Sequence, residues 1–516
     1  MTVKSKRILA LLILLIFSVS LCLSACVPRT ADPQNSVPSD GTEAPQTDPT
    51  GSTPTESTNA TEATQPQVTQ PVVTQPPHTH SYTEAVTAPD CSNKGYSTYT
   101  CDCGDSYVDK EVPATGEHNV TDGICTSCGL PPIPAFTGGN QNDDLYSCGN
   151  DNYLLVYSSV YSTAAKNYEK ELQSSGYTLT QSNEIGSNRF ATFHKGEQMV
   201  HCVYFAADRE YRITYGPKTY MGETQAVTDY SAVVTPSVSM IAMSCDEEAG
   251  TGMCIVAQLA DGSYVIIDGG FGQKADEAQR SVDMKTLLNF LKDNNPNGGK
   301  PQVTWMITHA DWDHIGLPVW FTKLYGDQIQ VNTVCYNFPI GTSLAGNIDS
   351  FMTAIADKYP NANHYIMHTG NKLYLPGCEI EFLFTAAEDL YPTGFKNGNY
   401  TSNAWRMTIE GKTILITGDI ENPLSAKIAR NYGNYLASDI LQVVHHGVNG
   451  ATKELYQYVN YKNKLKVCFW TIPTTRKWRT EESAYRAYNQ ILWDSGAEHY
   501  YHDYTTTIEL PSLTKR

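Results

Sequence analysis

Four side chains that can bind metal ions lie within six consecutive residues of the sequence. The segment THADWDH at 308–314 carries His309, Asp311, Asp313 and His314. It follows an apolar stretch that predicts a β-strand and precedes a stretch with helical spacing. A tight turn here can direct the first two side chains to one cation and the last two to a neighbouring cation. Core packing has no use for so many ionisable groups, so the segment predicts a centre for divalent metal ions rather than a charged surface loop.

Three other predicted strands end in residues of the same chemical kind. One ends in Asp268 before two glycines, one in a glycine and Asp419, and one in the pair His445-His446. Proteins of the α/β class place their active sites at the carboxyl ends of strands. We therefore expect these side chains to meet the segment 308–314 at one edge of a sheet.

This order of residues resembles the signature of the metallo-β-lactamase superfamily of hydrolases. That signature has His at positions 1, 3 and 6 and Asp at position 5 of the first segment, whereas position 3 is Asp311 here. With the later Asp419 and the pair His445-His446, this variant is most similar to the hydrolase domain of ComEC-type competence proteins and their soluble relatives. The resemblance covers 234–510 and implies an αββα sandwich with a two-metal hydrolase site.

The resemblance also implies two groups of ligands that share one bridging carboxylate. The expected ligands are His309 and Asp311 for one ion, Asp313, His314 and His445 for the other, and Asp419 for both. Asp313 is in addition expected to orient the attacking hydroxide.

Four further residues are expected near the ions or as alternatives to the ligands. Asp268 would brace the loop without binding metal, and the adjacent His446 could replace His445 as the ligand. Asn403 belongs to a Thr-Ser-Asn segment that resembles the Asn/Ser segment of the ComEC-type domain. Arg476 lies in a basic cluster that could bind phosphate, although a solvated loop is the alternative.

The chemistry of such a centre predicts a hydrolase with two divalent ions, zinc or manganese. Two close cations supply hydroxide near neutral pH, and an oxygen-rich ligand set favours manganese or iron more than an all-imidazole set does. We expect a phosphodiester substrate, either nucleic acid or a cell-wall polymer. The net charge of −18 argues weakly against bulk nucleic acid. Asp311 makes β-lactam hydrolysis an unfavourable third interpretation, and nothing in the sequence indicates a protein partner.

The elements that must position these residues fall in two folded segments. Residues 231–516 alternate short β-branched strands with amphipathic helices, which predicts a layered α/β sandwich. Residues 146–222 predict a small α/β domain, with one helix at 160–175 and strands before and after it.

The segment 78–130 is a cysteine-rich module too small to bury much of a core. It contains Cys91, Cys101, Cys103, Cys125 and Cys128, with His78, His80 and His118. The spacing of Cys125 and Cys128 is that of a metal-binding knuckle. Zinc and disulfide bonds are both compatible with this composition outside the cytoplasm.

The N-terminus predicts export. Residues 1–25 have basic residues, a short apolar run and small residues before Cys26, which resembles a bacterial lipoprotein signal peptide. An ordinary signal peptide or an uncleaved anchor is the alternative. Residues 26–77 are rich in Thr and Pro and predict a disordered linker. We expect lipid anchoring through Cys26 at the extracytoplasmic face of the cell membrane.

The alternative to a hydrolase is a non-catalytic lipoprotein that binds a surface.

Overall fold

Apolar residues occupy both faces of most strands between 237 and 509, which is typical of sheets that are covered on both sides. In the computed structural model, these strands form two sheets that lie face to face. Ile267 and Met306 of one sheet meet Trp405 and Phe469 of the other in a fully buried core.

The structure describes residues 79–516 except 92, 122, 143–144, 150, 247–249, 272–276, 340 and 390–396. The expected signal peptide at 1–25 and linker at 26–77 lie outside the described residues. Within the described part, no helix combines the length and the apolar character that crossing a membrane requires.

The first sheet has eight strands and the second has seven. In spatial order the first contains Asn363–Ile366, Gln330–Tyr336, Gln302–Met306, Tyr264–Asp268, Cys254–Gln258, Ser237–Met240, Thr506–Glu509 and Thr514–Lys515. The second contains Lys372–Leu375, Cys378–Phe384, Ala404–Ile409, Lys412–Ile416, Ile440–Gln442, Val467–Trp470 and Glu498–Tyr501.

Helices cover the outer faces of both sheets. Those packed on the first sheet are Glu277–Asp293, Trp312–Tyr325 and Ala345–Lys358. Those packed on the second are Asn422–Tyr432, Lys453–Val459 and Ser483–Trp493. The order of layers is therefore helix, sheet, sheet, helix, and the predicted αββα sandwich is confirmed.

Short elements complete the sandwich. They are the strands Cys245–Asp246 and Gly250–Thr251, the helix Ala386–Asp389, and the 3-10 helices Gly326–Gln328, Gly398–Thr401, Gly433–Leu436, Val444–Gly447, Tyr461–Asn463 and Thr474–Glu481.

A further antiparallel sheet precedes the sandwich. In spatial order it contains Asn140–Gln141, Asn152–Ser158, Glu210–Pro217, Gln198–Phe205, Asn188–Lys195 and Thr178–Ile185, with Tyr146–Gly149 paired to the second of these. The helix Ser162–Ser174 packs on one face. Phe190 and Phe205 on the other face join Leu383 and Tyr432 of the sandwich in one apolar cluster.

The cysteine-rich segment forms small antiparallel elements. A three-stranded sheet contains Tyr82–Thr87, Gly95–Cys101 and Ser106–Val112, and a hairpin contains Val120–Thr121 and Ile124–Cys125. The third strand of the sheet is exposed along its whole length, so this segment buries few side chains.

Candidate metal centre

Strands of both sheets bring ionisable residues to one edge of the sandwich. Asp268 ends a strand that runs parallel to Gln302–Met306, and His309 follows that neighbour by three residues. In the second sheet, Lys412–Ile416 leads to Asp419 and runs parallel to the strand before His445. Parallel strands share the direction of their carboxyl ends, so the side chains that follow them can meet.

Four residues form the tightest group at this edge. One ligand atom from each of Asp313, His314, Asp419 and His446 lies within 4.8 Å of the others. The Nε2 atoms of His314 and His446 are each 3.2 Å from Oδ2 of Asp419. The Nε2 atom of His446 is also 3.6 Å from Oδ2 of Asp313. Two imidazoles and two carboxylates at these distances could hold one divalent cation.

A second set of donors lies beside this group. His309 Nε2 is 3.5 Å from Oδ2 of Asp311, and the ring of His309 lies 4.1 Å from that of His314. His445 Nε2 is 3.5 Å from Oδ2 of Asp419. Oδ2 of Asp419 therefore lies within 3.5 Å of the Nε2 atoms of His314, His445 and His446.

The structure brings His446, rather than His445, into the group with Asp313 and His314. Both histidines lie in the left-handed region of the backbone, with φ values of 55° and 45°. This sharp turn after the strand points the two rings to different partners. Left-handed φ values cost non-glycine residues about 1–3 kcal/mol each, and they are held here by surrounding contacts.

Several donor atoms in the centre are buried and lack a hydrogen bond. These are Nε2 of His309, His314 and His446, and Oδ1 of Asp419. A buried polar atom without a partner destabilises the fold by about 1–3 kcal/mol. A bound cation could satisfy several of these atoms together, so the residues fit a divalent ion.

Hydrogen bonds on the far side of each ring fix which nitrogen faces the centre. His314 Nδ1 lies 2.7 Å from Oδ2 of Asp268. Thr308 donates to the same carboxylate from both its backbone N–H and its hydroxyl, at 2.7 and 2.6 Å. His446 Nδ1 lies 2.9 Å from the Thr471 carbonyl oxygen. These contacts hold Nδ1 away from the centre and turn Nε2 towards it, which is how metal-binding histidines are oriented.

The comparisons with known proteins concern the fold. No family model and no curated protein matches the chain. A mutant of CmlA beta-hydroxylase is 12% identical, with a TM-score of 0.33, and the match covers 53% of this chain and 54% of that one. A putative Zn-dependent hydrolase of the metallo-β-lactamase superfamily from Thermotoga maritima is 10% identical, with a TM-score of 0.22 and coverage of 46% and 77%.

The long form of RNase Z from yeast is 10% identical, with a TM-score of 0.32 and coverage of 54% and 49%. The chain thus spans about half the length of CmlA and of RNase Z. At these identities the similarity concerns the fold alone. The resemblance to ComEC-type domains stays a prediction.

Strong coupling between carboxylates and imidazoles marks the electrostatics of the centre. Burial alone would raise the pKa of Asp419, but the imidazoles of His446, His314 and His445 outweigh it and lower that pKa well below its usual value. Burial disfavours protonation of His446, yet Asp419 and Asp313 raise the pKa of His446 to about 9. Without metal, the carboxylates therefore retain protons on the rings, and divalent ions must displace them.

Two other predicted residues lie near the centre without belonging to the donor set. The amide nitrogen of Asn403 donates to the carbonyl oxygens of Thr308 and Asn337, at 2.9 and 3.2 Å, so this side chain holds the loop. Burial and then His446 lower the pKa of His502 to about 4, and Arg476 acts in the same direction.

Residues that the sequence did not single out complete the wall of the centre. A Cβ atom added to Gly398 would lie 2.3 Å from Oδ2 of Asp311. The amide nitrogen of Asn399 is 3.4 Å from Nε2 of His445 and also 3.4 Å from Oε1 of Glu421. Of these residues, Glu421 is the one that the sequence could have indicated, because it follows Asp419 by two residues.

A cavity of about 690 Å³ lies between the sandwich and the sheet that precedes it. Its lining includes Cys148, Asn337, His368 and Glu388. The Asn337 carbonyl oxygen accepts a hydrogen bond from Asn403, which also donates to the carbonyl oxygen of Thr308 in the loop before His309. The cavity therefore adjoins that loop and is large enough for part of a substrate.

Proposed function

We propose that this chain is a hydrolase that depends on two divalent ions, which the donors around Asp419 would hold. The observation that carries this proposal is the group of Asp313, His314, Asp419 and His446, whose ligand atoms lie within 4.8 Å of one another. The Nε2 atoms of both histidines are buried, face Asp419 and make no well-aligned hydrogen bond, which supports it.

The residues around the centre have distinct parts in this proposal. The ions, when bound, supply an activated water and positive charge for the transition state. Asp419 holds the two ligand groups together. Asp313 has its pKa lowered, because His314 and His446 outweigh its burial, so it stays ionised and can accept a proton from the attacking water. Asp268 and Thr471 hold the rings of His314 and His446 in position.

We propose a phosphodiester as the substrate. The nearby Arg476 and the second metal position could bind its negatively charged oxygens. Nucleic acid and a cell-wall polymer contain the same bond, and the net charge of −18 argues weakly against bulk nucleic acid. The donors beside the four-residue group are two imidazoles and two carboxylates, from His309, His445, Asp311 and Asp419. This mixed set of nitrogen and oxygen ligands supports manganese as well as zinc.

We also propose that the protein acts outside the cytoplasm, lipid-anchored to the cell membrane through Cys26. The support is the order of basic, apolar and small residues before Cys26. The domain limits proposed from the sequence are 78–130, 146–222 and 231–516.

The decisive experiment measures hydrolysis of bis-p-nitrophenyl phosphate by the full chain after metal removal and after addition of manganese or zinc. Asp419→Asn should lower turnover about a hundredfold or more, with a lower metal content per chain. Asp357→Asn removes a carboxylate on an outer helix and should leave both unchanged. If the reloaded wild type cleaves no phosphodiester, ester or lactam, the surface-binding function is preferred.

A further inference from the structure

Four donor atoms in the cysteine-rich segment converge on one point. Cys91, His118, Cys125 and Cys128 each place a ligand atom within 4.8 Å of the others. The sulfur atoms of Cys91 and Cys125 are 3.5 Å apart, and Sγ of Cys128 is 3.7 Å from Nδ1 of His118.

These separations match the edges of a tetrahedral zinc site. A zinc ion with bonds of about 2.3 Å to sulfur and about 2.0–2.1 Å to nitrogen separates its ligand atoms by about 3.6–3.8 Å. A disulfide between Cys91 and Cys125 would bring the sulfurs to about 2.05 Å. It would also leave His118 and Cys128 beside the bond without a common partner.

The burial of the segment shows why it needs a metal. Among the described residues of 79–130, the buried apolar side chains are Cys91, Cys101 and Cys125. A segment of this size without buried Leu, Ile, Val or Phe cannot be stable on hydrophobic burial alone. A bound ion supplies the free energy that the missing core does not.

The chain path brings the four donors together from both halves of the segment. Cys91 lies between the first two strands, His118 follows the sheet, and the other two lie in and after the terminal hairpin. Gly129 follows Cys128 with φ of 70°, and its N–H donates to the Cys125 carbonyl oxygen at 2.8 Å. This left-handed glycine turns the chain tightly, so that both sulfurs of the knuckle can face one ion.

We propose that Cys91, His118, Cys125 and Cys128 bind one structural zinc ion, which fastens the two halves of the segment together. All four ligand positions belong to the protein, so the ion has no open position for a substrate and serves stability. A second group, of His80, Cys101 and Cys103, offers three donors, and the proposed ion does not require it.

Cobalt replacement tests this site separately from the hydrolase centre. Co²⁺ bound to cysteine gives a thiolate-to-metal charge-transfer absorption, whereas the donors of the hydrolase centre contain no sulfur. We expect this absorption in the full chain, together with a zinc content that falls by about one ion per chain in Cys125→Ala. Ser127→Ala, an exposed change between two ligands, and Cys148→Ala, outside the segment, should keep both signals.

A ligand exchange covers the case in which Cys125→Ala does not fold. His118→Cys should retain the ion and strengthen the thiolate absorption, because a fourth sulfur replaces nitrogen. Alkylation and mass mapping of the full chain, expressed with its N-terminal segment, should find these cysteines without disulfides. A Cys91–Cys125 disulfide, or an unchanged zinc content in Cys125→Ala, overturns the proposal.

Discussion

Asp268 lies 2.7 Å from Nδ1 of His314, on the opposite side of the ring from Asp419, which lies 3.2 Å from Nε2. One carboxylate therefore orients the imidazole and the other shares its metal-binding face. Asp268 itself adopts a left-handed φ of 55°, and it also accepts two hydrogen bonds from Thr308. These contacts explain why such an unfavourable backbone conformation persists in the core.

Asp268→Asn should weaken metal binding about 10–100-fold. The amide has one acceptor oxygen in place of two, so it cannot satisfy Thr308 and also hold His314. Competition with a metal-binding dye measures the affinity. At saturating metal the turnover should largely return, as expected of a positioning residue. Asp283→Asn, a buried carboxylate bonded to Ser244, is the matched control.

The two adjacent histidines should differ in their effects. His446→Ala should remove about one ion per chain and lower hydrolysis about a hundredfold, because its Nε2 belongs to the four-residue group. His445→Ala should retain that ion and reduce occupancy only on the other side of Asp419. Metal content per chain and turnover of each variant distinguish the two. A larger metal loss in His445→Ala would return the ligand role to His445.

Gly398→Ala should disturb only the donors around His309 and Asp311. The added Cβ would overlap the carboxylate of Asp311. That carboxylate can move aside because it is the end of a side chain, so the fold should survive while the carboxylate is displaced. We expect the affinity for one ion to fall about tenfold or more, with little change in melting temperature. Gly346→Ala places its Cβ in open space and should leave metal binding intact. Equal binding in both variants would exclude Asp311 from the site.

Much of the sandwich follows from the sequence, because buried strands such as Gln302–Met306 and Lys412–Ile416 are short apolar runs. The helix Trp312–Tyr325 contains Gly316 and Pro318, which both weigh against a helix. Both residues are buried there, so tertiary packing outweighs their poor propensity. As a result, Asp313 and His314 lie in the first helical turn rather than in a loop.

The candidate centre was less predictable than its strands. Motif spacing identified the donors, but which histidine of the pair faces Asp313 depends on two left-handed residues that no periodicity reveals. Thr471 contributes through its backbone carbonyl as well as its hydroxyl, and Gly398 contributes by its lack of a Cβ. Neither feature leaves a pattern in the sequence, because each depends on a contact between distant segments.

Cys26→Ala should release the protein from the membrane fraction. Lipid attachment requires the thiol, and a membrane span needs about 20 apolar residues, more than the run at 8–17 supplies. Fractionation of cells that express the wild type or the variant measures this. Ser24→Thr, which keeps the thiol, is the control. A variant that stays in the membrane at full length would favour an uncleaved anchor.

Lys427 should make stability depend on pH. Its burial, and then the charge of Arg212, lower the pKa of its amine to about 7, whereas the amine of the unfolded chain titrates near 10.4. Between these values the unfolded chain binds more protons, so stability rises with pH. Below pH 7 the amine is charged in both states, and the folded protein bears the full cost of burying that charge. Lys427→Met should therefore stabilise the protein at pH 7. It should also flatten the rise in stability between pH 7 and 9, by on the order of 1–2 kcal/mol after allowance for partial exposure.

Denaturant unfolding of the metal-free chain at both pH values measures the difference. Lys453→Met, exposed at the start of its helix, should retain the wild-type dependence, and an identical slope in Lys427→Met would show that Lys427 is charged in the folded protein.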